Sequence, residues 1–144
     1  SGVVVLMGRH ASVRVVFGVK IPEGYELPFD PYDAEKWWLA KFVTPAELED
    51  MGYEVKATLL KQHPCPVDTV GYIDEDSSVK LLVFSDSNWE KSVELQISFD
   101  YEAVPLKELV DRVSKIDTTP FREFLAKEFP DLGEPRWLVH PHYS

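Results

Sequence analysis

Val13, Val15, Phe17, Val19 and Ile21 alternate with Ser12, Arg14, Val16, Gly18 and Lys20. A period of two predicts a half-buried strand, closed by Pro22-Glu23-Gly24. After a loop from Tyr25 to Phe29, Asp30-Pro31-Tyr32-Asp33 reads as a helix start. Asp30 suits the cap, Pro31 the first helical position, and Asp33 and Glu35 the positive end of the helix dipole. The pattern carries this helix to about Phe42. Tyr32, Ala34, Trp38, Leu39 and Phe42 share one arc, while Trp37 falls among Asp33, Lys36 and Lys41. Trp38 is therefore expected in the core and Trp37 outside it. Thr44-Pro45-Ala46-Glu47 is a capping box and opens a short helix, with Gly52 expected to close it.

Tyr53, Val55, Ala57 and Leu59 alternate with Glu54, Lys56 and Thr58, which predicts a second strand. His63-Pro64-Cys65-Pro66 is a stiff connector, Val67 to Ile73 a strand, and residues 74–78 a polar turn. Val79–Phe84 and Val93–Phe99 read as a hairpin with Trp89 near its tip. Pro105 to Ile116 is an amphipathic helix whose apolar arc is Leu106, Leu109, Val110, Val113 and Ile116. Thr119-Pro120 opens another, with Phe121, Phe124, Leu125 and Phe129 as its buried side. Pro130 to Pro135 breaks it, Arg136 to Val139 adds a short strand, and His140 to Ser144 is expected to be a frayed tail.

The order is strand, helix pair, several strands, helix pair, short strand. Segregated strands and helices define an α+β fold: one domain over residues 1–144, a mainly antiparallel sheet with two helix pairs packed on one face. No internal repeat is discernible. Ser1-Gly2 resembles a cloning remnant and Met7 a native start, so residues 1–6 are expected to be vector-derived.

Composition changes this picture little and charge changes it more. At 44% hydrophobic and 28% charged the chain is globular. The longest apolar run, Val3 to Met7, is far too short to span a bilayer, and no leader peptide is visible. A lone cysteine, Cys65, fits a reducing, cytoplasmic setting. The net charge is −10 with a pI near 4.8, which disfavours direct binding to nucleic acid or to anionic membrane. Residues 23–54 alone carry nine acids, two bases and seven of the eighteen aromatics.

Reaction chemistry is poorly represented. His63-x-Cys65 and His140-x-His142 have ligand-like side chains, and His10 stands apart. One cysteine cannot complete a structural zinc set, so no metal is expected. Cys65 lies between prolines, with His63 two residues away, a poor geometry for an activated thiolate. The seven glycines build no phosphate cradle, and no cofactor is expected.

Acid mixed with aromatic is the composition of a protein-contact surface. The expected contact residues are Tyr25, Glu26, Phe29, Asp30, Tyr32, Asp33 and Trp37, with Trp89 in the hairpin connection. The reading is a non-catalytic protein-binding domain whose partner is basic, such as a nucleic-acid-handling protein. A small acidic inhibitor or accessory protein of a mobile element has this character. The alternatives are a small hydrolase or transferase with scattered histidines and acids, and a nucleotide-type small-ligand binder. No residue pattern fixes an oligomeric state.

Overall fold

The structure is a computed structural model, and it describes residues 11–71, 79–85, 97–99 and 103–143. β1 (Ala11–Lys20) is followed by α1 (Ala34–Leu39), α2 (Pro45–Asp50) and α3 (Tyr53–Gln62). Then come β2 (Val67–Gly71), β3 (Val79–Phe84) and β4 (Ile97–Phe99). α4 (Leu106–Ser114), α5 (Thr119–Glu128), a 3-10 turn (Pro130–Leu132) and β5 (Arg136–Tyr143) complete the order. The fold is α+β, as the segregated pattern predicts.

All strand pairings are antiparallel, and β1 is their centre. Val13 to Val15 pair with β5 on one edge and with β4 on the other. Gly18 pairs with Arg136 of β5 and with Val83 of β3. β3 and β4 therefore occupy the same edge of β1 and run in the same direction. The sheet is β2, β3, β1, β5 abreast, with β4 continuing the line of β3. The expected hairpin between Val79–Phe84 and Val93–Phe99 is corrected by this register. Leu81–Val83 and Ile97–Phe99 each pair with β1, and strand-like sequence does not say which neighbour a strand takes. Residues 93–96 and Trp89 lie outside the described residues.

Gly18 is dictated by packing. A Cβ there would overlap the Leu82 carbonyl oxygen and crowd Val83, so only glycine lets the backbones approach.

The main core lies on one face. Phe17, Val19, Val67 and Leu82 project from the sheet into Phe29, Leu39, Leu60, Phe121, Phe124, Leu125 and Phe129. Phe17, Leu39, Leu82 and Phe121 are all but fully enclosed. Each such side chain contributes roughly 1.5–3 kcal/mol relative to exposure. The buried side expected for α5 is therefore the one observed. On the opposite face Val16, Leu81 and Val83 are also buried, beside Val70 and Leu138. That follows from β1 carrying Val15-Val16-Phe17 in succession, which serves both sides of the sheet.

Four features differ from expectation. Tyr53–Gln62 is a helix, so the first helical group has three members. The residues are good helix formers, and Leu60, not the alternating Tyr53 and Val55, reaches the core. Gly52 has φ −73° and precedes α3 instead of terminating α2 with a left-handed turn. The first helix starts later: Asp30 Oδ1 accepts from Tyr32 N at 3.0 Å in a turn, and Asp33 is the cap, accepting from Lys36 N at 3.2 Å. Finally, β5 runs through the expected tail to Tyr143, because His140 and Pro141 pair with Arg14 and Val13.

Candidate functional site

The loop before α1, the outer side of α1 and the start of α2 enclose a surface groove of about 430 Å³. Its position follows from three local decisions. Pro28 stiffens the entry, Asp33 caps α1, and the Thr44 hydroxyl caps α2 by accepting from Glu47 N at 3.2 Å. Phe29, Trp37 and Leu48 supply the apolar lining. Asp30, Asp33 and Glu49 supply carboxylates, against the single base Lys36.

The structure brings together Phe29, Asp30, Asp33 and Trp37 of the predicted contact set in this groove. The expectation that Trp37 stands outside the core is corrected. Its indole is partly buried, with ring centroids 5.0 Å from Phe29, 6.1 Å from Phe124 and 6.2 Å from Phe129. The helix is only six residues long, so its core-facing arc is not confined to one phase, and α5 closes over Trp37 from the side. Lys41 Nζ sits 4.6 Å from the Trp37 ring centroid and 2.9 Å from Glu128 Oε1. A cation already rests against this indole.

The remaining candidates are dispersed. Phe29 is buried. Glu26 is exposed, and Tyr32, which shares the apolar arc of the first helix in sequence, is 86% exposed. The Tyr25 hydroxyl donates to Asp131 Oδ1 at 3.1 Å, which ties the loop to the turn after α5. Burial first, then the Asp131 hydrogen bond and its charge, raise the Tyr25 pKa. Trp89 and His10 lie outside the described residues.

Sequence reasoning missed Lys36, Pro45, Leu48 and Glu49 as groove residues and Tyr53 as an exposed aromatic. Pro45 was legible within the capping box that opens a helix, and Glu49 only as an acid further along it. Their nearness to Asp30 depends on how α2 folds back, which carries no local signal.

The other chemistry-bearing residues are structural in their surroundings. Cys65 is buried, and its thiol donates to the Val67 carbonyl at 3.4 Å. Burial pushes its pKa up to about 12, the opposite of what a thiolate nucleophile requires. The His63 ring stacks on Phe42 at 3.9 Å. His140 is buried in β5 opposite Arg14, and His142 pairs with Ser12. Glu35 faces Lys56, Asp33 and Asp68; burial is the main cause of its raised pKa. A larger hollow of about 530 Å³ beside α5 is lined by Arg122, Glu123 and Glu134 and holds the Arg122–Glu134 pair at 3.5 Å. Among the described residues no three His, Cys, Asp or Glu side chains converge as metal ligands. Nor is any described helix long and apolar enough to cross a membrane.

No known protein family, curated protein or solved structure matches the chain.

Proposed function

We propose that the protein is a non-catalytic binding domain that engages a basic protein partner through the groove between α1 and α2. One observation carries the reading: three carboxylates rim a cleft floored by Phe29, Trp37 and Leu48. An aromatic floor with an acidic rim suits an inserted lysine or arginine side chain, whose stem packs on rings while its head meets carboxylates. The chain's charge of −10 would steer such a partner toward it. In its sharpest form the domain is a small acidic inhibitor, or an accessory protein of a mobile element, acting in the cytoplasm on a nucleic-acid-handling protein. The enclosed, proton-holding Cys65 speaks against a cysteine hydrolase.

The test is a titration of the protein with arginine-rich, lysine-rich and acidic peptides, read by the indole N–H resonance of Trp37. Basic peptides should shift it and acidic ones should not, and Asp30→Lys with Glu49→Lys should remove the response. Equal responses to basic and acidic peptides, or an unchanged response in that variant, would refute the proposal. Capture from the native host with both forms then identifies the partner.

A further inference from the structure

The hollow of about 530 Å³ beside α5 is built by one reversal of the chain. α5 ends at Glu128, the 3-10 turn Pro130–Leu132 follows, and Gly133 adopts φ +85°, which a side chain would strain. Glu134 and Pro135 then pass back beside α5 toward β5, and the hollow lies between them and the helix.

Arg122 is set in its wall by two contacts. Its Nε donates to Thr118 Oγ1 at 3.1 Å, and its Cζ lies 4.9 Å from the Phe17 ring centroid. These contacts hold the guanidinium and leave its terminal nitrogens for other partners. Among the described residues those nitrogens meet only Glu134, with Nη1 3.5 Å from Oε2. That is an ion pair, longer than a good hydrogen bond. The Arg122 side chain is 49% exposed and that of Glu134 93% exposed, so both keep bonding capacity.

The lining defines what can use that capacity. Leu125, Ala126, Phe129, Pro130 and Pro135 are apolar, Arg122 is positive, and Glu123 and Glu134 are negative. A simple anion would face two carboxylates, and a simple cation would face the guanidinium. A zwitterion with an apolar body meets each charge with its opposite. Arg122 and Glu134 stand close enough for one α-amino acid to reach both.

We propose that this hollow binds a free apolar α-amino acid. Its carboxylate sits on the terminal nitrogens of Arg122, its ammonium on Glu134, and its side chain against Ala126, Phe129 and Pro130. The volume falls within the range of small-ligand sites. Both charged partners are substantially solvated, so the dissociation constant is on the order of 1 mM. Among the described residues this hollow and the groove between α1 and α2 share no lining residue, so either reading can fail without the other.

Titration of the whole protein with L-phenylalanine tests the proposal, read by the Arg122 Nε–H and Ala126 amide resonances. Both should shift and saturate. N-acetyl-phenylalanine lacks the ammonium and phenylalanine amide lacks the carboxylate, so each should bind weaker by about fivefold or more. Arg122→Gln and Glu134→Gln should each weaken L-phenylalanine by a similar factor. Ala126→Phe, on the exposed side of α5, fills the hollow without touching a charge and should abolish the saturable shift. Circular dichroism confirms that each variant is folded. Four results would each overturn the proposal: no saturable shift up to about 20 mM L-phenylalanine, a blocked form that binds as tightly as the free amino acid, an unchanged affinity in Glu134→Gln, or an unchanged affinity in Ala126→Phe.

Discussion

The indole N–H of Trp38 donates to the main-chain carbonyl of His63 at 2.8 Å, across twenty-five residues of sequence. This bond fastens α1 to the C-terminal end of α3. Phe42 adds to the same junction, lying 5.4 Å from Trp38 and 3.9 Å from the His63 ring. Trp38→Phe keeps a ring but leaves the carbonyl without its donor. The expected loss is about 1–3 kcal/mol. Urea denaturation checks it: a midpoint equal to wild type would show that the bond contributes nothing.

Trp37 sits in the aromatic cluster of Phe29, Phe124 and Phe129, so its removal acts on stability first. Trp37→Ala should cost about 3 kcal/mol, near the lower end for large aromatic truncations because the ring is only partly buried. Lys41→Met should cost about 1 kcal/mol or less, since its ion pair with Glu128 is partly solvated. Comparing the two midpoints separates the ring's packing from the cation above it. Equal losses would contradict this division.

Gly18→Ala should be among the most damaging small substitutions. The added methyl meets backbone at Leu82, which cannot rotate away. A loss of about 3 kcal/mol or more is expected, with the strands forced apart at their shared centre. Thermal unfolding followed by tryptophan fluorescence is sufficient to measure it.

Cys65 should give stability a pH dependence in the alkaline range. Its thiol pKa is about 12 in the folded protein against 9.0 for the unperturbed group, so the folded state holds the proton more tightly. The contribution is complete below about pH 9 and is lost as pH rises toward 12. At about 1.4 kcal/mol per unit, the loss is on the order of a few kcal/mol. Cys65→Ala should lack that part of the slope, which makes the difference between the two curves the measurement. The native thiol should also resist alkylation at pH 8 and become reactive on unfolding.

The elements most readable in the chain were those whose period had a single explanation. Phe121, Phe124, Leu125 and Phe129 are buried as their spacing implies. Alternation in Tyr53–Leu59 misled because helix-forming residues also allow every second position to be apolar, and only the core decides which of them it takes. The apolar stripe begun in α4 is only partly taken up: Leu109, Val113 and Ile116 are half-buried, whereas Leu106 and Val110 stay exposed. The groove was half legible. Asp30, Asp33 and Phe29 announce themselves by composition, whereas Glu49 joins them through the turn between α1 and α2. Trp37 could not be placed by phase, because a six-residue helix is closed over by α5 from a direction its own sequence does not encode.

β3 last pairs with β1 at Gly18, and β4 takes up the same edge at Val15. Three residues of a strand cover roughly 10 Å. The chain between Phe84 and Ile97 thus departs from and returns to nearly one place, inside what is spatially a single line of strand. Its ends are fixed by pairings that do not depend on its length. The sheet therefore has a built-in port: a site where a segment can be exchanged, enlarged or trimmed while the order of strands around β1 stays the same.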